Sequence, residues 1–401
     1  MNLNVKYLLI SITVIAVVCD TMLLPFYPGF FASAFGITDP AYVGGYIAAF
    51  CLVVLLAFPC WARLAEKRSV LNILLASQLA AAFFSLLCYR VDSLSAFWLV
   101  SLLMFVCKAS YLLIYPLVMR LETPGKQGQT IGLLSLIVHF GAIGGAVLGG
   151  VMLQCFEPRQ VFVLMACGDL LQTAICCYLK YAGHTLPLAQ APATQASADP
   201  VATANKPPLV KLALLMLLFY FSAYLMQPFF VSYWQQISAS ANQISAALVF
   251  AIPAFVALLV LLWQYRFAPA QTHHTGLHRA LWLTGSGLAL QALPQPLLVI
   301  AGRCLFGLGL FLATVRLDLL LFRLSTPERY AADFSKIYMA QSLGVLLASY
   351  CAGAVVAATR LSMPLLVATA TLALTWLCYL LLFNPGWRPS ATATDASQRL
   401  Q

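Results

Sequence analysis

A chain of 401 residues that is 62% hydrophobic and 8% charged has too little polar surface to coat a soluble globule. Its net charge of +10 would suit a nucleic-acid binder, but the basic residues are spread between apolar runs and form no single patch. A bilayer crossing takes about 20 apolar residues, and twelve such runs follow in chain order. The first six are expected at 6–31, 41–62, 70–90, 95–119, 129–153 and 160–181, and the second six at 211–234, 244–266, 279–293, 297–322, 335–358 and 362–383. The first run carries Asp20 and two prolines and lacks a small-residue cleavage site, so it reads as a retained helix.

With both termini placed in the cytoplasm, Lys6, Arg63, Lys67, Arg68, Arg120, Lys126, Arg266, Arg279, Arg323, Arg329 and Arg388, among others, fall on the inside. Only Arg90, Arg159 and Arg360 fall outside. This is the positive-inside asymmetry, and it accounts for the basic charge by topology in a bacterial-type inner membrane. The twelve cysteines include no C-x-x-C pair and lie mostly within apolar runs, where they act as small hydrophobes. His273, His274 and His278 read as solvated loop residues without a metal. No nucleophile–base pairing or phosphate loop is visible, so neither an enzyme nor a cofactor is expected.

Residues 184–208 are rich in Ala, Pro, Thr and Gln and cannot bury enough apolar area to offset ordering entropy. They are expected to be a flexible cytoplasmic linker between an N-terminal six-helix bundle, 1–183, and a C-terminal one, 209–384. A disordered tail is expected at 385–401. The halves repeat at one offset. Pro25-Phe26-Tyr27 is answered 203 residues later by Pro228-Phe229-Phe230, Thr123-Pro124 by Thr326-Pro327, and Gly141 and Gly150 by Gly344 and Gly353. Duplicated helical halves around a midplane site are the architecture of secondary transporters.

Several segments resemble the major facilitator superfamily. Arg63-Leu64-Ala65-Glu66-Lys67-Arg68 after the second run is similar to a shortened form of its G-x-x-x-D-R-x-G-R-K loop, without the following glycine. The resemblance implies a charge latch through Arg63, Glu66, Lys67 and Arg68; otherwise they are topogenic charges. Arg303, Gly307 and Gly309 match a fourth-helix R-x-x-x-G-x-G pattern in the second half, and Lys108 takes the Arg place in the first. Gly141 to Gly150 resembles the G-x-x-x-G-P-x-x-G-G stretch of proton antiporters, missing only the proline. Gly141, Gly145 and Gly149 form one stripe that lets helices approach closely, with Gly150 beside it. The opening run through Asp20 to Pro28 also looks like exporters of carboxylate siderophores.

A charge at a helix centre costs about 2.5–3.5 kcal/mol on insertion scales and needs a partner or a water-filled cavity. The resemblance puts Asp20 and Lys108 on cavity-lining helices, as an ion pair that either opens to take up a proton or is permanently structural. Asp169, on a helix the resemblance makes peripheral, and His139, whose imidazole ordinarily titrates near neutrality, are secondary proton candidates. Helical period groups Lys108, Tyr111 and Tyr115; Tyr220, Tyr224 and Gln227; Tyr338 and Gln341; and Arg303, Gly307 and Thr314, with Asp318 about 60° away. These polar aromatic stripes are expected to line a substrate cavity, while Arg316 snorkels to headgroups. The reading is an all-α membrane protein of two pseudo-symmetric six-helix bundles. Its expected work is proton-coupled export of a small organic compound, with a slight positive cavity balance that suits a carboxylate or zwitterion. A multidrug exporter and a non-transporting receptor are the alternatives. Expected partners are the substrate, protons and the bilayer, with no nucleic acid, and the chain is expected to act as a monomer.

Overall fold

Proline and glycine divide the apolar runs into fifteen α-helices and three short 3-10 turns among the residues described in this computed structural model, which are 3–121, 127–183, 207–238, 242–267, 276–325 and 330–383. The expected linker up to residue 206, the tail, Lys126, His273, His274 and both Thr-Pro pairs lie outside them. The first span is α1 (Leu3–Thr21) and α2 (Tyr27–Phe35), bent at a 3-10 turn over Leu24–Phe26. Pro25 and Pro28 have no N–H to continue the ladder there. Gly36 closes α2 in the left-handed conformation, φ 69°. Next come α3 (Pro40–Lys67) and α4 (Val70–Arg90). The fourth span is α5 (Leu94–Lys108), a 3-10 stretch at Ala109–Leu113, and α6 (Ile114–Leu121). Helices α7 (Gln127–Cys155) and α8 (Gln160–Tyr181) complete the first half.

The second half opens with α9 (Pro207–Tyr224) and α10 (Phe230–Ile237), bent at Gln227–Phe229. Then follow α11 (Gln243–Phe267), α12 (Gly276–Gln291), α13 (Pro296–Leu324), α14 (Tyr330–Ala358) and α15 (Met363–Leu382). The sequence repeat is legible in these boundaries. The starts of α2 and α10, α3 and α11, α7 and α14, and α8 and α15 are each 203 residues apart, as are the two bends. Among the described residues eleven spans are long and apolar enough to cross a membrane. Helix α12, at 16 residues, begins where the described residues resume.

Two boundaries differ from the sequence expectation in ways that matter. Helix α3 runs past 62 to Lys67, so Arg63, Glu66 and Lys67 are helical and Arg68 is the cap. Ala, Arg, Leu, Glu and Lys are all good helix formers, and nothing in the run stops it earlier. His278 is not a loop residue; it sits in the first turn of α12 and accepts a 2.6 Å hydrogen bond from Trp376 Nε1 of α15.

Apolar helices gain little from hiding from lipid, so close backbone approach has to hold them together. The glycine stripe of α7 lies on α1. A Cβ at Gly141 would stand 2.6 Å from Val17 Cγ1, one at Gly145 would stand 2.6 Å from the Val18 carbonyl, and one at Gly149 would collide with the Met22 carbonyl. Gly150 faces the other half, where its Cβ would come within 2.9 Å of the Gln243 carbonyl and 2.7 Å of Ala247. The repeat supplies the mirror contact: a Cβ on Gly353 would stand 2.5 Å from the Pro40 carbonyl and 2.8 Å from Gly44. We call the end of the bundle holding these contacts the far face, and the end where α1 begins the near face. Arg90, Arg159 and Arg360 all lie at far-face helix ends. Arg159 there pairs with Asp92 and donates to the Ala34 carbonyl at 3.3 Å.

Candidate functional site: a buried charge cluster beside a tyrosine-lined path

The fourth span breaks directly after Lys108. Pro116, about two turns further on, has no N–H for the Leu112 carbonyl inside the break, and the Val106 carbonyl is taken by Trp61 Nε1 of α3 at 2.7 Å. Ser110, inside the break, is held by Ser77 of α4 at 2.6 Å and by Gln78 Nε2 at 3.4 Å. These bonds fix Lys108 at the end of a rigid helix pointing into the first bundle, where it is 3% exposed.

Two carboxylates share that ammonium. Lys108 Nζ lies 2.7 Å from Asp169 Oδ1 and 3.9 Å from Asp20 Oδ1. Asp169 is fully buried and well provided for: Ser85 Oγ donates to Oδ2 at 3.2 Å and Gln172 Nε2 to Oδ1 at 3.4 Å. Asp20 differs. Its side chain is 25% exposed, its Oδ1 has no hydrogen-bond partner, and the Tyr111 hydroxyl reaches the same carboxylate. The expected Asp20–Lys108 pair is therefore the longer arm of a triad. Asp169, expected on a peripheral helix, is the nearer partner, because α8 packs along α4 and presents that face inward. Ser77, Gln78, Ser85 and Gln172 were not anticipated. Their signal was present as polar residues at helical spacing within the third run, with Gln172 one turn from Asp169.

From Asp20 a path of tyrosines crosses to the second half. Tyr111 lies near Tyr338, Tyr224 near Tyr338, and Tyr220 stacks on Tyr224 with centroids 5.8 Å apart. Tyr220 lies near Thr314 and Asp318 of α13, and Tyr115 of the first half lies near Asp318. Toward the near face rings of the two halves meet: Tyr115 stacks on Phe334 at 6.1 Å with planes 2° apart, and Phe58 meets Tyr338 at 6.3 Å. Tyr111, Tyr115, Tyr220, Tyr224, Tyr338, Thr314 and Asp318 are half-buried, each keeping some accessible surface inside the bundle. Gln341 donates to Met216 Sδ of α9 at 3.0 Å, and Gln227 lies in the bend of the seventh span.

Other expected members stand elsewhere. Arg303 is 5% exposed and outside the path. Its Nε donates to the Val249 carbonyl at 3.3 Å, an Nη donates to the Phe250 carbonyl, and its guanidinium sits 4.1 Å from the Phe230 ring centroid. Pro253 has no N–H for the Val249 carbonyl, so Arg303 caps the acceptor that the proline leaves open. A Cβ on Gly307 would stand 2.5 Å from Pro253 Cα. Arg303 and Thr314 do share a helix face, but they are about 16 Å apart along it at 1.5 Å per residue. Periodicity gave the face and not the depth.

Arg316 turns toward Gly276 at the start of α12. His139 faces Phe311 of α13 at 6.0 Å and makes no described contact with the triad. Arg63, Glu66, Lys67 and Arg68 are exposed and form no ion pair among the described residues. A separate hollow of about 140 Å³ at the far face, bordered by Phe26, Leu153, Val231 and Gln243, holds no charged side chain.

Paired helical bundles joined across a polar midplane path define a secondary-transporter fold. The sequence model of the Major Facilitator Superfamily matches residues 9–290, and the chain belongs to that family. Solved structures of the same fold include the nucleoside transporter NupG, at 15% identity and TM-score 0.73, covering 96% of this chain and 100% of that one. A bacterial homolog of the human lysosomal transporter Spinster, in an inward-facing and occupied conformation, is 15% identical with TM-score 0.74, covering 96% and 98%. The POT family transporter PepTSo is 10% identical with TM-score 0.76, covering 94% and 97%. No curated sequence relative matches the chain.

Proposed function

We propose that this transporter exports a small organic compound in exchange for protons across the cytoplasmic membrane, with Asp20 as the proton carrier. The observation that carries this reading is the imbalance of the triad: two carboxylates share one ammonium, and the more accessible carboxylate has the longer contact and the unbonded oxygen. With all three groups ionised the cluster holds a net negative charge inside the bilayer, where each charge is costly. A proton on Asp20 removes that excess and leaves Lys108 with Asp169. When Asp20 gives up the proton it competes for Lys108 across 3.9 Å. Asp20 is one residue from Thr21, against which Gly145 packs, so its charge state acts on the α1–α7 contact. Helix α1 belongs to the wall that must move for access to alternate.

The direction rests on the antiporter-like glycine stripe, and the near face is taken as cytoplasmic from the positive-inside asymmetry. A carboxylate cargo, including a siderophore, loses support from two positions. Arg303 is spent on backbone carbonyls and Lys108 on Asp169. A cation-tolerant exporter gains it, because half-buried Asp318 forms no ion pair among the described residues.

The test begins with metabolite profiling of medium from cells with and without the gene, in iron-poor and iron-rich growth, to identify the exported compound. That compound is then followed in proteoliposomes under an imposed pH gradient. Wild type should accumulate it uphill, and Asp20→Asn should exchange it only downhill. Uphill accumulation by Asp20→Asn would remove the proton role from this residue. No change in the medium in either growth condition would count against export.

A further inference from the structure

We propose that the near-face end of α12 binds the phosphate of an anionic phospholipid, through Arg279, Arg316 and His278 above a pair of indole rings. The site faces outward from the second bundle and depends on neither the cargo nor the direction of transport.

Geometry is the first support. Trp376 of α15 packs edge-on to Trp282 of α12, with centroids 5.6 Å apart and planes at 69°. Its Nε1 donates to His278 Nδ1 at 2.6 Å. An indole N–H can only donate, so Nδ1 carries no proton and the neutral imidazole holds its proton on Nε2. Exposed His278 therefore keeps Nε2–H as a donor for a group outside the chain. Trp282 is 58% exposed and stands about 9 Å deeper than the start of α12, at 1.5 Å per residue. With the first turn of α12 among headgroups, the indoles lie at the boundary with the acyl chains, where tryptophan is favoured.

Charge is the second. Arg279 is exposed and makes no ion pair or hydrogen bond among the described residues. From α13, Arg316 reaches the first turn of the same helix, where a Cβ on Gly276 would collide with its guanidinium. Its described hydrogen bond goes to the Leu312 carbonyl of its own helix, at 3.4 Å. Neither α12 nor α15 contains an acidic residue. Two guanidinium groups and a neutral donor at the membrane surface suit a phosphate diester of net negative charge.

The repeat is the third. Shifted by 203 residues, His278, Arg279, Trp282, Arg316 and Trp376 fall on Leu75, Ala76, Leu79, Leu113 and Thr173. Leu79 is 51% exposed, so the same place in the first half meets lipid with an aliphatic side chain. Rings that merely seat a bundle in the bilayer would be expected in both halves. Here they come with the basic groups, and in one half.

Native mass spectrometry of the purified full-length protein tests the idea, with phosphatidylglycerol and phosphatidylcholine of matched acyl chains offered together. Wild type should retain phosphatidylglycerol about tenfold more strongly or better. Arg279→Gln and Arg316→Gln should each cut that preference by about fivefold and together abolish it. Lys180→Gln, which removes an exposed near-face charge of the first half, should leave it unchanged. Trp282→Leu should weaken retention of both lipids. Monodisperse elution of each variant separates loss of lipid from loss of fold. Equal retention of the two lipids by wild type overturns the proposal, and so does a preference undiminished in the double arginine variant. Release of the bound lipid by millimolar inorganic phosphate would assign these groups to a free anion and would overturn it as well.

Discussion

Shifted by 203 residues, Asp20, Lys108 and Asp169 fall on Ala223, Phe311 and Leu372, whereas Asp318 falls on Tyr115 and Arg303 on Val100. The frame obeys the repeat to the residue at the bends, at four helix starts and at the Gly150 and Gly353 contacts, yet none of these five intramembrane charges does. Even the shared stripe is uneven. Gly141, Gly145 and Gly149 of α7 correspond to Gly344, Ala348 and Ala352 of α14, so the second half admits methyl groups where the first admits none. In the first half α1 approaches the α7 backbone most closely at Met22, two residues beyond Asp20. The second half keeps α13 unbroken and uses its buried arginine to satisfy a proline-interrupted helix. In this molecule duplication supplied two helical bundles, and divergence gave one of them a buried triad of two carboxylates and an ammonium and the other a half-buried Asp318 with no ion pair among the described residues.

The largest effect should come from breaking the tighter stripe. Gly145→Leu would drive a side chain into Thr21 and the Val18 carbonyl, and transport assays at matched expression should register near-complete loss with membrane insertion preserved. Gly145→Ala should already impair transport, while the counterpart Ala348→Gly should cost about 1 kcal/mol in thermal stability and little activity. Normal transport by Gly145→Leu would mean that α1 need not lie so close.

Next comes Lys108→Ala, which strands Asp169 with no counter-charge. Removing one partner of a buried pair costs about 3–5 kcal/mol. Lys108→Ala should fall in thermal stability by far more than the double variant Lys108→Ala with Asp169→Ala. Additive losses would refute the pairing.

A smaller, differently directed effect is expected at Arg303. Arg303→Met gives up hydrogen bonds to two carbonyls, worth about 1–3 kcal/mol of stability together, and should leave cargo affinity within about threefold. A selective loss of affinity would return Arg303 to the cargo path. Least of all, Glu66→Gln on the exposed end of α3 should move the melting temperature by no more than experimental scatter.

Much of this was legible in the sequence, for identifiable reasons. Composition and run length gave the twelve spans, with those at 70–90 and 160–181 matching α4 and α8. The repeat gave the two bundles, and glycine spacing gave the α7 stripe. Asp20, Lys108 and the tyrosine stripes announced themselves as polar groups in apolar helices. Depth and partner choice were not legible. The face of α13 carrying both Arg303 and Thr314 passes different neighbours at its two ends, and one-dimensional spacing cannot say which. Asp169 was undervalued because its importance comes from α8 packing on α4, a contact between distant segments. The bond from Trp61 to the Val106 carbonyl was invisible for the same reason.

The proposed coupling places the exchangeable proton of the triad on Asp20. Infrared difference spectra of the protein in lipid, recorded as the pH is stepped, read that proton directly through the carbonyl stretch of a protonated carboxyl. The predicted result is a titrating carboxyl band that disappears in Asp20→Asn and persists in Asp318→Asn. A band unchanged in Asp20→Asn would contradict it.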